Sequence, residues 1–225
     1  VLFAPEIAQR DAYNWKRDFL PITSISMTPL VLEVHPAVPA KTLKEFFELA
    51  RREPGKLTMA SPGPGTTNHL LSELVQSTLG LQWVTVQYRG NAPASTDLIG
   101  GQLPIVVDTL DSLMPLHDSG KLRVLASSGE RRPVYAPSIP TFREAGLDLT
   151  ASGWGVMFAP ASMPSDKVDR YARALREVMS DPDVIRRIVD AKMTPVASTR
   201  AQTEQMLKAY RAQWAPVVTK SGYQP

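Results

Sequence analysis

Cysteine is absent from the 225 residues. That excludes disulfides, thiolate nucleophiles and cysteine-held metal sites. It suits an exported protein that avoids oxidation and equally a chain kept in a reducing compartment. Histidine is scarce: His35, His69 and His117 are the three, no two of them stand at metal-ligand spacing, and no metal site is expected. No run reaches the ~18 apolar residues that span a bilayer. No dense Lys/Arg block occurs, and 25 basic residues stand against 22 acidic ones for a net charge of +3, so a nucleic-acid partner is not expected. There is no Gly-x-Ser-x-Gly elbow and no nucleophile set beside a base, so catalytic residues and cofactors are expected to be none. Internal repeats, low-complexity tracts and Gly/Ser linkers are missing too. A signal peptide is not visible and the chain opens on Val1 rather than Met; this reads as a processed or shortened product that begins inside a strand.

What is present is an ordinary globular composition, 43% hydrophobic and 21% charged, long enough for one or two domains with a real core. Its most informative stretch runs from Lys56 to His69. Leu57–Ala60 reads as a strand, Ser61-Pro62-Gly63-Pro64-Gly65 as a glycine loop, and Thr66-Thr67-Asn68-His69 as the mouth of a helix. Gly63 and Gly65 let backbone pass close to a ligand. Ser61, Thr66 and Thr67 add hydroxyls where unpaired N–H groups and the helix dipole favour an anion. A tight strand–helix turn with its own cap explains the same residues equally well. The run is not a dinucleotide fingerprint, because the third glycine and the later acidic partner are missing. It is not a P-loop, because no Gly-Lys-Ser/Thr follows.

Around this run the chain alternates. Val31–Val34 is a short apolar strand. Thr42-Leu43-Lys44-Glu45 forms a capping box into a helix carrying Leu43, Phe46, Phe47 and Ala50, and Pro54-Gly55 ends it. The helix after the glycine loop closes at Gly80. Trp83–Tyr88 is a strand, Arg89–Pro93 a turn into a second helix mouth, and Gly100-Gly101 the end of that helix. Pro104–Val107 is a strand that leads to Asp108-Thr109, a helix spans about 112–119, and Leu122–Ala126 is a further strand. Such alternation predicts a mostly parallel sheet with helices on both faces. Trp154–Phe158 is another strand. Helices then cover about 165–192, broken near Asp181-Pro182, and 199–220, opened by the capping box Thr199-Arg200-Ala201-Gln202. Two segments, Leu30–His35 and Gly153–Pro160, read as crossings between two lobes, which makes a hinge with a ligand cleft between them.

Five ordered motifs closely resemble the Bug receptors, the periplasmic solute-binding proteins of tripartite tricarboxylate transporters (the TctC family). They are Gly55–Leu57 with Gly63–His69; Val86–Pro93 with Asp97–Gln102; Val106–Thr109; Pro137–Gly146; and Trp154–Pro160. The resemblance covers nearly the whole chain. It implies an α/β fold of the type II periplasmic-binding-protein kind, two lobes joined by two hinge strands. Lobe 1 is then 1–32 plus 153–225, and lobe 2 is 33–152. It also implies a small carboxylate ligand (a citrate-like acid, dicarboxylate, amino acid or aromatic acid), membrane transporter subunits as partners and a periplasmic location. Members begin with a strand–loop–helix unit that supplies many carboxylate contacts. Nothing here matches it, so lobe 1 is expected to be incomplete, with homodimerisation, strand exchange or weak binding as consequences.

The ligand-binding residues expected on this reading are Ser61, Gly63, Gly65, Thr66 and Thr67 in the first loop, and Tyr88, Arg89, Gly90, Asn91 and Ala92 in the second. Asp108 joins them as a ligand contact or as the cap of the next helix, Thr28 and Trp154 as cleft-lining residues near the crossings. For Arg89 a solvated strand-end charge is an equal alternative, and for Trp154 a place in the hinge core. His69 is expected to be structural. The leading function is carboxylate capture without chemistry. The alternatives are the effector domain of a transcription regulator, an enzyme on the same fold, and a remnant that does not bind.

Overall fold

The computed structural model describes residues 14–221; the expected strand at Val1 lies outside them. Among the described residues, those up to Thr28 and from Trp154 onward make one compact unit, the split unit. Pro29–Gly153 make the other, the central unit.

The central unit is built on a sheet of order β3-β2-β4-β1-β5. Its strands are β1 (Phe19–Val34, of which residues 29–34 belong here), β2 (Thr58–Ser61), β3 (Val84–Gln87), β4 (Ile105–Thr109) and β5 (Arg123–Ser127). β2 pairs in parallel with β3 and β4. β1 runs antiparallel to both its neighbours, β4 and β5. The sheet is therefore mixed, not mostly parallel. β1 is shared with the split unit, so its direction is set by where the chain enters the central unit and not by a crossover helix inside it. The strand is also much longer than the expected Val31–Val34, since Phe19–Leu30 extend it on the N-terminal side.

Register decides which side chains meet. Val31 stands opposite Asp108, and Glu33 opposite Val106 and Val124. Because strand side chains alternate between faces, Val31, Glu33, Val106 and Asp108 share one face. Here α4 (Asn91–Ile99) and α5 (Leu110–Asp118) pack Ala94, Leu98, Leu110, Leu113 and Met114 against Val31, Ala60, Val106 and Val124. The opposite face carries Leu30, Leu32, Val34, Ile105 and Val107, all buried. α2 (Leu43–Arg52) buries Leu43, Phe46, Phe47, Leu49 and Ala50, with the Phe46 ring 5.9 Å from Trp83. Full burial of each such side chain stabilises by roughly 1.5–3 kcal/mol. The Thr42 hydroxyl caps α2 by accepting from Glu45 N–H, but the Glu45 carboxylate accepts from Lys41 N–H at 2.6 Å. The expected box thus closes on the residue before the cap.

One buried serine fastens the sheet to the segment that leads to β6. Ser128 N–H donates to Leu30 O at 2.7 Å, and Ala151 N–H donates to Ser128 O at 2.8 Å. The Ser128 hydroxyl accepts from Leu30 N–H at 3.0 Å and lies 2.6 Å from Ala151 O.

In the split unit, α1 (Trp15–Asp18) precedes the first part of β1. β1 pairs β6 (Ser152–Pro160) and, antiparallel at Ser26 and Met27, β7 (Thr194–Pro195). α6 (Ser165–Ser180), α7 (Pro182–Asp190) and α8 (Arg200–Lys220) complete it. The break at Asp181-Pro182 has a plain cause. Proline cannot continue α6 but suits the first turn of α7, and the Asp181 carboxylate accepts from Asp183 N–H at 2.7 Å. Thr199 and Gln202 form the full reciprocal box at the start of α8.

Candidate functional site

The glycine loop joins β2 to α3 (Thr67–Leu79). Gly63 has φ +146° and Gly65 φ +70°, conformations that side chains resist. A Cβ on Gly63 would meet only ordinary contacts, 3.7 Å to Tyr88 O, so the need for glycine there is conformational. Thr66 is the N-cap: its hydroxyl accepts from His69 N–H at 3.3 Å and donates to Gly63 O at 2.8 Å. Ser61 is buried, and its hydroxyl lies 3.4 Å from Gly63 N. His69 Nδ1 accepts from Gly65 N–H at 3.3 Å, and burial holds the imidazole below its ordinary pKa. It is therefore a neutral loop brace, as expected of a structural residue.

The second loop, from β3 into α4, is stitched to the first. Tyr88 N–H donates to Ser61 O at 2.8 Å and Gly90 N–H to Pro62 O at 2.9 Å. The Tyr88 hydroxyl donates to Asp97 at 2.7 Å, and that bond raises its pKa. α4 then begins differently from α3. Gly90, at φ +103°, is its N-cap and gives no side-chain cap. Among the described residues no acceptor meets the N–H groups of Asn91 and Ala92. Arg89 beside them is exposed.

Asp108 gathers both loops. Its Oδ1 accepts from Asn68 Nδ2 at 2.9 Å, Asn91 Nδ2 at 3.0 Å and Thr109 N–H at 2.8 Å. Asn68 also donates to Val107 O at 2.9 Å. One oxygen at the end of β4 thereby fixes the first turn of α3 and the first turn of α4. Burial raises the Asp108 pKa, while its three donors oppose that rise. Of the two roles expected for Asp108, capping of α5 does not occur: Thr109 occupies that N-cap, and its hydroxyl meets the Ser112 hydroxyl at 3.0 Å rather than a helix N–H. Asn68 was not singled out by the sequence. The signal available was a polar side chain on the inward side of a helix start, followed by buried Leu70 and Leu71.

A second carboxyl stands beside Asp108, one that the sequence did not single out: Glu33, fully buried on the same sheet face. Neither of its oxygens has a hydrogen-bond partner among the described residues. Burial, and secondarily the Asp108 charge, push its pKa up to about 8.

The remaining expected residues lie in the split unit. Thr28 is buried at the end of its share of β1. Trp154 is half-buried and stacks edge-on to Tyr210 at 5.4 Å, within a cluster that includes Trp15 and Leu207. Among the described residues no group of three or more His, Asp or Glu is placed to hold a metal ion. No described helix is long and apolar enough to cross a membrane.

The family described as "Tripartite tricarboxylate transporter family receptor" matches residues 2–223. Protein BugT of Bordetella pertussis is 28% identical over 93% of this chain and 65% of its own length. The UPF0065 protein in the gbd 5′ region of Cupriavidus necator is 31% identical over 85% of this chain and 59% of its own. The chain thus spans roughly three fifths to two thirds of the length of these two relatives. Among solved structures, the R. palustris protein Rpa4515 with adipate superposes with a TM-score of 0.87 at 25% identity, over 98% of this chain and 77% of that one. A structure described as a periplasmic transporter superposes with a TM-score of 0.87 at 32% identity, over 98% and 74%. These matches fit the expected α/β fold of the receptor kind.

Proposed function

Because the chain belongs to the receptor family of tripartite tricarboxylate transporters, we propose that it is an extracytoplasmic receptor that captures a small carboxylate without chemistry and delivers it to membrane transporter subunits. The observation that carries this reading is the open N-terminus of α4, set beside the glycine loop. Unpaired N–H groups and the helix dipole attract a carboxylate, and those of Asn91 and Ala92 have no protein acceptor. Two backbone bonds and the Asp108 clamp hold this end against the loop of Ser61, Gly63, Gly65, Thr66 and Thr67. Arg89 adds an exposed positive charge. Adipate in Rpa4515 makes a dicarboxylate the first ligand class to try. Thr28 and Trp154 enter the proposal through the family resemblance alone, as do the lobe limits 1–32 with 153–225 and 33–152.

Thermal-shift titration of the chain with adipate, citrate, malate, glutamate and benzoate tests the reading. Stabilisation by at least one, lost in Asn91→Pro, is expected. No response to any of them counts against it. Self-association through the split unit belongs to the same proposal. None of the residues of α7 is fully buried, and Tyr171 and Val178 on α6 are exposed. Sedimentation of a dimer that Val178→Glu dissociates is the expected result; a monomer at all concentrations refutes this part.

A further inference from the structure

Glu33 sits where a carboxylate is least tolerated. It is fully buried, and neither oxygen receives a hydrogen bond from the described residues. Its strand neighbours across the ladder are Val106 and Val124, and the face is otherwise lined by Val31, Ala60, Leu98 and Leu110. An ion without donors in such a setting is strongly disfavoured, and the group keeps its proton instead.

The charged groups on the packed elements do not relieve this. On β4, Asp108 stands on the same face, two residues from Val106; such diagonal neighbours lie about 7–8 Å apart, and its charge opposes ionisation of Glu33. On α4, Asp97 accepts from the Tyr88 hydroxyl. On α5, Asp111 acts on Asp108, and His117 Nδ1 accepts from Val124 N–H. On β5, Arg123 is paired with Val34, on the opposite face, and donates to Ala40 O.

We propose that Glu33 is a buried neutral acid whose ionisation loosens the Asp108 clamp, so that carboxylate capture by the two loops is coupled to the proton on Glu33. A negative charge on Glu33 repels Asp108, and Asp108 is the group that fixes Asn68 and Asn91. By linkage, a ligand that needs the intact clamp favours the protonated acid and takes up a proton when it binds above neutrality. The coupling to capture rests on the proposed receptor function; the protonation of Glu33 does not.

The sign is fixed by the direction of the shift. The folded protein holds this proton up to about pH 8, whereas an unfolded glutamate releases it near 4.3. Stability contributed at low pH is therefore lost as pH rises through that window and is flat above it. Melting curves of the wild-type chain, Glu33→Gln and Glu33→Met between pH 5 and 9 read this directly. The wild type should lose several degrees relative to both variants as pH rises to 8.5, and Asp108→Asn should shrink that loss. Parallel profiles for all of them overturn the proposal. The coupling is read by calorimetry with adipate at pH 7 and 9. Wild-type affinity should weaken by up to about tenfold as the competent form is depleted, with proton uptake near pH 8. Both variants should hold their affinity within about twofold, the spread that separates them from that depletion. Equal weakening in wild type and variants overturns the coupling. If adipate does not bind at any pH, capture of that dicarboxylate fails and the coupling fails with it, while the melting curves still decide whether Glu33 is neutral.

Discussion

Asp108 Oδ1 is the acceptor for three N–H groups from three places in the chain. Truncation leaves the buried Asn68 amide without its carboxylate, and buried unsatisfied groups are costly. Asp108→Ala should therefore lower stability by about 2–4 kcal/mol. Asn91→Ala removes a single donor from an exposed residue, and a loss of about 1 kcal/mol is expected; urea denaturation at pH 7 measures both. His69 acts at the acid end. Its folded pKa lies below the ordinary histidine value, so its contribution is complete above about 6.5 and is lost as pH falls through the lower folded value. His69→Gln should flatten the fall in melting temperature between pH 7 and 5, and a variant that keeps the wild-type slope speaks against the brace. Glu33→Met, which replaces an unpaired acid by an apolar chain of similar length, should stabilise the protein by about 2–4 kcal/mol above pH 8.

Elements were legible where the deciding chemistry is local. Thr66 before α3, Gly80 after it, the Asp181-Pro182 break and the Thr199–Gln202 box all act within a few residues, and each appears where the sequence places it. β1 was not legible at its true length. Phe19–Met27 mixes Pro21, Ser24 and Ser26 with apolar residues, and its partners β6 and β7 lie well over a hundred residues away. The loops of the candidate site were visible as helix mouths. Their clamp was not, because Asn68, Asn91 and Asp108 converge only through the sheet. Glu33 was missed for a related reason: one charged residue within Leu30–Val34 looks like the exposed position of a half-buried strand, and only the register shows both faces covered. Two substitutions test elements as units. Gly65→Ala forces a side chain into φ +70° and should cost about 1–2 kcal/mol and weaken carboxylate binding. Ser128→Ala leaves Leu30 N–H without an acceptor and should cost about 2–3 kcal/mol, seen as a lower urea midpoint with an unchanged slope.

On the scale of the molecule, a bound carboxylate should act as a stabiliser of the folded chain alone. At a hundredfold excess over its dissociation constant it adds about 2.7 kcal/mol, which raises the melting temperature by several degrees for a protein of this size. The pH slopes contributed by His69 and Glu33 have opposite signs, the first losing stability in acid and the second losing it as pH rises towards 8. The insertion of β1 between β4 and β5 also has a consequence in time. β1 precedes both of its neighbours in the chain, and Ile105–Thr109 and Arg123–Ser127 must both be in place before that strand is paired on its two sides. The parallel set β2, β3 and β4 is complete earlier. Closure of so long a loop is slow, and an unpaired apolar strand invites wrong partners while it waits. Fragments that end before Arg123 should therefore need a holding chaperone to stay in solution, and fragments that include β5 should refold without it.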